Sequence, residues 1–463
     1  MVRTTVASAA LCAGVCRAAA SPSCGITHGH LGISSTSQIF LPSSPDWAAQ
    51  TLRWSSFDAP TYSASVRPST EADVQAIGGI EIDMSAFRNV SVDAANNLLT
   101  VGGGARFLDV FDPVFNAGKE ISTGSGACVG MISPALGGGV GRLSGTHGVL
   151  SDQLSSLRVV TANGSIVTAS DDENPDLFWA MRGAGNNFGI VTEAVYRVMD
   201  QASRNVINMD YAFTVNDTGA IIDYLSSFGV DLPAELSFIV EAMYNEAVYG
   251  GFGINVNAVY VGPQDEAEAL LAPLLDAATP FKTNITSVAQ NQMVYSSNFG
   301  GQANAQVACG GKGGNHSVFG GALYSYDKPT FVAFMGAYEQ LITGNEDLRG
   351  SVFFIEHFSN VAVQKADASL SSYPWRNITA HLLFNYAWTQ TENAAIVDAF
   401  GKKWRSAVQK VDGFDKPELY VNYGHGDEAP EMLYSEENLP KLKALKSKWD
   451  PTNQFRFNNN LMG

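Results

Sequence analysis

Residues 123–192 decide the fold, and two glycine-dense loops frame them. The first loop lies within GSGACVGMISPALGGGVGRLSGTHGVLSDQL (124–154), and the second lies within NPDLFWAMRGAGNNFGIVT (174–192). The segment between them, LSSLRVVTANGSIVTA (154–169), is apolar and β-branched, which predicts a rigid strand. Because glycine has no Cβ, clustered glycines let the backbone approach a ligand and offer it N–H groups. The pattern favours a large, flat, phosphorylated cofactor, and the alternative is a flexible loop of turns.

The second loop resembles a dinucleotide fingerprint whose last glycine is displaced. Gly183, Gly185 and Gly189 supply the glycines. That fingerprint requires a strand before it and a helix after it. Here a helix-like segment precedes the glycines and a strand-like segment, GIVTEAVYRV, follows them. The inverted context argues against a Rossmann site.

Composition is typical of a folded protein with a large core. The chain has 463 residues, of which 45% are hydrophobic and 16% are charged. This length predicts two domains. The net charge is −17 and no basic run is present, so phosphate backbones would be repelled. We therefore expect no nucleic-acid partner.

Residues 1–20 have the pattern of a signal peptide. Arg3 precedes a small apolar stretch, and the A-x-A motif at residues 18–20 makes Ser21 the expected mature start. The apolar stretch is too short to span a bilayer. We therefore expect a secreted protein with no membrane-bound part. The alternative is a disordered N-terminus.

Export makes the sequons and the cysteines informative. The N-x-S/T sequons, of which we expect some to be glycosylated, are Asn89, Asn163, Asn216, Asn284, Asn315 and Asn377. Cys24, Cys128 and Cys309 follow the signal peptide, and their odd number leaves at least one unpaired within the chain. No spacing of Cys, His and Asp residues predicts a metal site. The sequence has no G-x-S-x-G motif, so it does not support a hydrolase triad.

The pattern of strand-like and helix-like segments changes near residue 200, which predicts an α+β protein. Residues 21–62 form an N-terminal segment and residues 63–199 the first domain. Residues 200–410 combine four amphipathic helices with five strand patterns, which predicts an antiparallel sheet covered by helices. The strand patterns are MDYAFTV, ELSFIVEAMYN, GFGINVNAVYVG, GSVFFIEHF and AHLLFNYAWTQ. Residues 411–463 are expected to return to the first domain. There, 420–423 reads as a strand, and a helix stopped by Pro451 carries its lysines toward solvent.

These residues resemble a known family, the berberine-bridge-enzyme-like FAD-linked oxidoreductases, and fungal members most of all. Their FAD-binding domain is of the PCMH type, within the vanillyl-alcohol-oxidase superfamily. The matching stretches, in order, are VRPSTEADV, GIEIDMSAFRNVSVD, LTVGGGARF, VGMISPALGGGVGRLSGTHGVLSDQL, VVTANG, DLFWAMRGAGNNFGIVT, YVNY and LKALKSKWDPTNQF. Their order and spacing over two-thirds of the chain are more specific than any single piece.

The resemblance implies an FAD cofactor and its binding residues. The implied set is Gly130, Gly137, Gly138, Gly139, Gly141, His147, Gly189, Ile190, Val191 and Asn422. For His147 the alternative is a loop histidine that only satisfies neighbouring backbone. Tyr420 and Tyr423 are similar to the family's candidates for the substrate base, and the alternative is tyrosines that pack a β surface. A tyrosine base needs its pKa lowered from about 10 by positive charge or hydrogen bonds.

The chain departs from the family at two flavin attachments. In relatives, a strand and a GGGH-type loop precede the strand matching GIEIDM; the loop wraps the FAD pyrophosphate, and its histidine bonds to the flavin. Here Ile77 abuts Gly78, and the segment is absent. The remaining helix Ser69–Ile77 should leave a sheet edge unpaired. A flavin-linking cysteine of relatives aligns with Gly126, so Cys128 is a displaced tether candidate or a small buried residue.

The resemblance implies a secreted FAD-linked oxidoreductase that passes a hydride from a small organic substrate to flavin. In fungi such proteins commonly tailor secondary metabolites, and molecular oxygen is a candidate reoxidant. Two other functions stay open. One is oxidation of oligosaccharides at an open groove. The other is a non-catalytic remnant that lacks the pyrophosphate loop and cannot bind FAD.

Overall fold

The computed structural model describes residues 26–76, 81–302, 309–311, 313–410 and 418–462. The strands are β1 (Gln38–Phe40), β2 (Ser65–Arg67), β3 (Glu81–Ile82), β4 (Val90–Asp93), β5 (Leu98–Gly102), β6 (Lys119–Glu120), β7 (Leu154–Thr161), β8 (Ile166–Ser170), β9 (Gly189–Arg197), β10 (Met199–Asp200), β11 (Asn205–Phe213), β12 (Leu236–Asn245), β13 (Gly251–Tyr260), β14 (Lys282–Ala289), β15 (Asn315–Leu323), β16 (Val352–Phe358) and β17 (Ala380–Trp388).

The helices cluster beside these strands. They are α1 (His28–Leu31), α2 (Trp47–Gln50), α3 (Glu71–Ala76), α4 (Phe107–Asn116), α5 (Ile132–Ala135), α6 (Ser144–His147), α7 (Pro175–Ala184), α8 (Thr218–Phe228), α9 (Glu246–Tyr249), α10 (Gln264–Ala277), α11 (Met293–Gly300), α12 (Lys328–Gly344), α13 (Val361–Lys365), α14 (Asn393–Lys410), α15 (Pro430–Tyr434) and α16 (Leu439–Trp449). None of the described helices is long and apolar enough to cross a membrane.

A seven-stranded antiparallel sheet, in the order β14-β11-β13-β12-β16-β17-β15, carries the larger core. Alternate residues such as Phe238, Val256 and Phe353 face helices α8, α10, α12 and α14, which bury that face. The opposite face carries polar residues. This confirms the predicted α+β class and the helix-covered antiparallel sheet. Strands β14 and β15 were missed, because KTNITSVA is polar and NHSVFGGAL is interrupted by glycines.

A five-stranded sheet, in the order β4-β5-β9-β7-β8, carries the second core. Leu99, Leu157 and Ala194 of this sheet pack in one cluster with Leu442 and Leu461, which lie near the C-terminus. The C-terminal segment therefore packs beside the glycine-dense loops that precede β7 and β9.

A third sheet, β1-β2-β3, holds the position where the family segment is absent. Strand β3 pairs in parallel with β2, and the register is Ser65 with Glu81 and Val66 with Ile82. The prediction of an unpaired edge on β2 was therefore wrong, because residues 68–80 are long enough for a short βαβ crossover. Residues 77–80, where the segment would be inserted, lie outside the described residues.

Two further predictions near the C-terminus need correction. Val421–Tyr423 forms a 3₁₀ turn, not a strand. Lys446, expected to face solvent from α16, is 1% exposed and pairs with Asp450 at 2.7 Å. Helical periodicity placed it beside exposed lysines, but the segment after α16 folds back over this side chain. That segment accepts a hydrogen bond from Nζ through the Phe455 carbonyl at 2.8 Å.

Candidate functional site

A cavity of about 350 Å³ lies between the two glycine-dense loops and the C-terminal segment. Its lining residues are Met84, Gly103, Ile132, Ser133, Leu136, Gly137, Asn186, Gly189, Ile190, Val191, Val421, Asn422, Asn458 and Asn459. Five residues of the predicted cofactor set line it: Gly137, Gly189, Ile190, Val191 and Asn422. Its volume is within the usual range for small-molecule sites.

The glycine cluster supports the cavity mainly by packing. A Cβ on Gly137 would lie 2.5 Å from Oδ1 of Asn422, so glycine is needed for Asn422 to take its place. Gly138 and Gly139 adopt φ values of +119° and +84°, which disfavour other residues. Gly141 is equally constrained, because a Cβ there would lie 2.0 Å from the Thr123 carbonyl oxygen. Gly138, Gly139 and Gly141 are not among the residues that line the cavity, so their assignment as cofactor contacts stays a prediction.

Two other predicted residues also lie away from the cavity. Gly130 forms an isolated β-bridge with Arg106. His147 Nε2 lies 2.7 Å from Oε1 of Glu120, an interaction that occupies its ring. Burial pushes the pKa of Glu120 upward, but hydrogen bonds from His147 and Gln290 outweigh it and leave that pKa lowered. His147 is thus a structural partner of Glu120, and neither it nor Gly130 contacts the cavity.

Cys128 forms a disulfide with Cys309, across a sequence separation of 181 residues. The Cys128 sulfur is therefore already bonded to Cys309 and does not serve as a flavin tether. The remaining cysteine after the signal region, Cys24, lies outside the described residues. The bridge joins the loop before α5 to the segment before β15, so it links the two parts of the chain that carry the two large cores.

The amides of the cavity were mostly missed by sequence reasoning. Asn186, Asn458 and Asn459 line it together with Asn422. The run of three asparagines at 458–460 was a usable signal, since a polar triplet near a core segment is unusual. Lys446 supports this asparagine-lined wall of the cavity from the side away from the cavity. Its ammonium donates to the Asn187 carbonyl at 2.7 Å and to the Phe455 carbonyl at 2.8 Å.

The donor set of the cavity fits a flavin. Apolar side chains such as Ile132, Leu136 and Ile190 suit the faces of a flat ring, and the asparagine amides can both donate and accept at its polar edges. No cationic side chain is among the lining residues, so the cavity offers no side-chain charge to a pyrophosphate. FAD is the cofactor that this cavity and the comparisons below support.

Tyr420 organises Asn422 and is buried. Its hydroxyl oxygen accepts hydrogen bonds from Nδ2 of Asn422 at 2.6 Å and from the Gly139 N–H at 3.0 Å. Asn422 Nδ2 also donates to the Pro134 carbonyl at 2.9 Å, which leaves Oδ1 as its free acceptor. Burial raises the pKa of Tyr420 to about 12, although the hydrogen bonds from Asn422, Val140 and Gly139 oppose the rise.

Tyr423 points to the opposite side, toward the seven-stranded sheet. Its hydroxyl donates to Oε2 of Glu356 on β16 at 2.6 Å. Burial raises the pKa of Glu356 to about 7, while Tyr423 and Arg142 pull it down. Burial and the Glu356 carboxylate raise the pKa of Tyr423 well above its usual value. Glu356 was missed because GSVFFIEHF reads only as a strand with a few polar residues.

The six sequons differ in exposure. Asn89, Asn163, Asn216 and Asn377 are exposed, whereas Asn284 and Asn315 are half-buried. The Nδ2 atom of Asn284 donates to Asp210 at 3.2 Å, so a glycan on it would displace that contact. Glycosylation stays a prediction, with the four exposed sites favoured. Among the described residues, no group of three or more His, Cys, Asp or Glu side chains is placed to hold a metal ion.

Comparison with known proteins identifies the family of this chain. Residues 36–170 match a profile described as an FAD binding domain, and residues 419–462 match one described as berberine and berberine like. An FAD-linked oxidoreductase of Aspergillus fumigatus is 50% identical over 511 alignment positions that cover 96% of each chain. The alignment is longer than the 463 residues of this chain, so the relative contains residues with no counterpart here.

Solved structures share the fold. The BBE-like 1 protein of Physcomitrella patens superposes with a TM-score of 0.80 at 22% identity, covering 93% of this chain and 98% of its own. A xylooligosaccharide oxidase from Myceliophthora thermophila, solved with xylobiose, gives 0.75 at 22% identity, covering 94% of this chain and 98% of its own.

Proposed function

Because the chain belongs to the berberine-bridge-enzyme-like FAD-linked oxidoreductases, we propose that it oxidises a small organic alcohol or amine with Tyr423 and Glu356 as proton acceptors. The observation that carries this proposal is the 2.6 Å hydrogen bond between the two side chains. It lies one residue from Asn422, which lines the cofactor cavity. A proton acceptor and a cofactor wall are therefore adjacent on one 3₁₀ turn.

The proton transfer can be written from the residues present. When bound, FAD would supply the acceptor for a hydride from the substrate carbon. The substrate O–H or N–H bond breaks, and its proton goes to the Tyr423 oxygen. Tyr423 passes its own proton to Oε2 of Glu356, so the tyrosine stays neutral and the glutamate becomes protonated. A buried acceptor with a pKa near the working pH is well suited to this role.

The geometry divides the two tyrosine candidates by role. The Tyr420 hydroxyl accepts hydrogen bonds from Gly139 and Asn422, and its side chain is buried away from solvent. Tyr423 faces a carboxylate that can take a proton from it. We therefore assign the proton transfer to Tyr423 and the positioning of Asn422 to Tyr420.

The substrate class we favour is a fungal secondary metabolite, and the second candidate is an oligosaccharide. The observation that favours the second is the fold shared with a xylooligosaccharide oxidase. We further infer that the chain is exported, with a signal peptide at residues 1–20. The Cys128–Cys309 disulfide supports export, because disulfides persist mainly in oxidising compartments.

The test compares Tyr423→Phe and Glu356→Gln with the wild type in anaerobic flavin reduction. The panel holds xylobiose, chitobiose, and aromatic alcohols and amines, with bleaching of the flavin absorbance as the signal. Each variant should slow reduction by about 10²- to 10⁴-fold with unchanged flavin content. Tyr244→Phe is the matched control, because it removes a surface tyrosine–glutamate hydrogen bond of 2.7 Å.

The pH profile gives a second readout. Glu356 must be ionised to accept the proton, so the wild-type rate should be lost as the pH falls through about 7. In Glu356→Gln the reduction rate should no longer fall as the pH is lowered through this range. Normal rates in both variants would refute the assignment, and a purified protein that takes up no flavin would favour the non-catalytic remnant.

A further inference from the structure

The polar face of the seven-stranded sheet carries a row of directly paired residues that leads to Glu356. In order across the strands the row is Asn284, Asp210, Asn257, Ile239, Glu356 and His381. Ile239 is the apolar break in this row. Polar groups lie on both sides of it, with Asn257 on one side and Glu356 on the other.

Arg142 lies over this break. It follows the glycine cluster of the cofactor loop, and its guanidinium reaches across to the sheet. It donates to Oδ1 of Asn257 and, at 3.4 Å, to Oγ of Ser237. Ser237 lies two residues before Ile239 on β12 and therefore on the same face. Arg142 is 4% exposed, so the charge is withdrawn from solvent.

The anchoring of Arg142 places its charge near Glu356. Adjacent strands lie about 4.8 Å apart, so two strand spacings, or about 10 Å, separate Asn257 from Glu356. Arg142 binds the Asn257 end of that interval, and its charge lowers the pKa of Glu356. In a buried setting, charges at such distances interact much more strongly than they do in water. Arg142 also faces the carboxyl groups of Asp210 and Glu241.

Asp210 accepts hydrogen bonds from several amide side chains. Its carboxylate accepts from Nδ2 of Asn257 at 2.8 Å and of Asn208 at 2.9 Å, and more distantly from Asn255 and Asn284. Glu241 accepts from Asn298 at 2.6 Å. Glu356 has Tyr423 as its hydrogen-bond partner. Glu241 and Glu356 each accept from one of these donors, so both depend more than Asp210 on a nearby positive charge.

We propose that Arg142 is a positioning residue for proton transfer, whose buried charge keeps Glu356 ionised and ready to accept the proton of Tyr423. This inference rests on the proposed role of Tyr423 and Glu356. Arg142 belongs to the loop that also supplies Gly137 to the cofactor cavity. The same loop thus shapes the cofactor site and sets the charge of the proton acceptor.

Several titratable groups surround Glu356 and Arg142. The titratable and charged groups that face it from the packed elements are Tyr423, Tyr420, His381, Arg142, Glu241 and Asp210. Burial lowers the pKa of His381 to about 4, so this ring is neutral at working pH. Burial and Asp210 raise the pKa of Glu241 to about 8. Arg142 is the only cation among these groups.

The experiment measures the ionisation of Glu356 without turnover. Infrared difference titration of the flavin-loaded protein follows the protonated-carboxyl band, which is assigned to Glu356 by its loss in Glu356→Gln. In Arg142→Met the pH of half-protonation should rise by at least one unit, which is about tenfold. Arg142→Lys should retain most of the wild-type value. Arg204→Met, at an exposed arginine, is the control.

A purely structural role predicts a different result. In that case Arg142→Met would lower activity equally at all pH values and would leave the Glu356 titration at the wild-type pH, which would overturn the proposal. If Arg142→Met does not fold, the same substitution in an Asp210→Asn, Glu241→Gln background removes the uncompensated carboxylates. There the shift is expected relative to that background with Arg142 intact, and its absence would also overturn the proposal.

The Glu356 titration and the turnover of Tyr423→Phe together distinguish failure of the proposed function from failure of the inference about Arg142. If the Glu356 titration shifts but Tyr423→Phe turns over normally, the proton path is wrong and only the electrostatic coupling stands. If the titration does not shift while Tyr423→Phe is impaired, the proton path stands and the role of Arg142 is refuted.

Discussion

The cofactor cavity and the polar face of the seven-stranded sheet use opposite chemistries, although Asn422 and Tyr423 make them neighbours. The cavity is lined by neutral amides and apolar side chains, and its charged pair, Lys446 with Asp450, lies behind the wall. The sheet face buries ionisable groups directly beside Tyr423. The difference fits our proposal that one region holds a flat neutral ring by shape and hydrogen bonds. In the same proposal, the other region controls where a proton resides.

The largest effect should come from restoring the segment that this chain lacks between Ile77 and Gly78. None of the described residues that line the cavity has a cationic side chain, and the aligned Aspergillus relative contains residues without counterparts here. A family-like strand and glycine-rich loop inserted there should add two or three charge-assisted hydrogen bonds to the pyrophosphate. At about 1.5–3 kcal/mol each, they should tighten FAD binding by several orders of magnitude.

Flavin retention after desalting, followed by acid precipitation, measures both affinity and covalent attachment. A glycine-serine insert of equal length is the control, because it adds length without a designed phosphate site. The chain as it stands should bind FAD weakly and release it on precipitation. A yellow pellet from the unaltered chain would contradict this prediction.

A smaller loss should follow when the wall behind the cavity is broken. Lys446→Met removes one partner of a buried ion pair and leaves Asp450 uncompensated, at a cost of about 3–5 kcal/mol in the free energy of unfolding. The Asn187 and Phe455 carbonyls lose a donor as well, so the segment carrying Asn458 and Asn459 should loosen and flavin retention should fall.

Urea unfolding and flavin content together check this expectation. Lys443→Met, at an exposed position on the same helix, should change neither quantity. Equal stability of the two variants would mean that the Lys446 pair contributes nothing to the cavity wall.

The smallest effect separates the two tyrosines. Sequence reasoning expects Asn422→Ala to lower flavin occupancy and Tyr420→Phe to lower turnover. The contacts predict that both act on flavin retention, because the Tyr420 hydroxyl accepts from Asn422. Tyr420→Phe should weaken FAD binding by about 0.5–1.5 kcal/mol, the usual net value of one hydrogen bond. Asn422→Ala should weaken it more.

Flavin titration together with rates at full occupancy distinguishes the two regions. Tyr423→Phe serves as the opposite case, with normal FAD binding and impaired turnover. A Tyr420→Phe variant with normal flavin affinity but slow turnover would restore the sequence-based assignment and would weaken the contrast between cavity and sheet face.

Local pattern was sufficient for the elements and for part of the site. Alternation and helical periodicity predicted β11, β12, β13, β16 and β17, together with the four helices that cover them, because burial on one face leaves a periodic trace. The glycine cluster and the YVNY motif pointed to the correct walls of the cavity. They did not tell which glycines contact a ligand and which only pack against Tyr373, Leu150 or Thr123.

Lys446, Arg142 and Cys128 show what local pattern cannot supply. Each is polar or reactive in sequence, yet its role depends on a partner far along the chain. Lys446 binds the Asn187 carbonyl, Arg142 binds Asn257, and Cys128 pairs with Cys309. Periodicity reports which face of an element is apolar, but it does not report which distant segment will cover a given polar side chain.

The amino-acid sequence by itself determined the fold class, the order of most elements, the glycine-rich frame and the membership of an FAD-linked family. These properties follow from short-range patterns and motif order along the chain. Only the tertiary structure decided which residues line the cavity, that Tyr420 and Tyr423 face different partners, and that Glu356 stands beside Tyr423. The physical reason is that hydrogen-bond partners, burial and pKa values depend on groups brought together across long sequence separations.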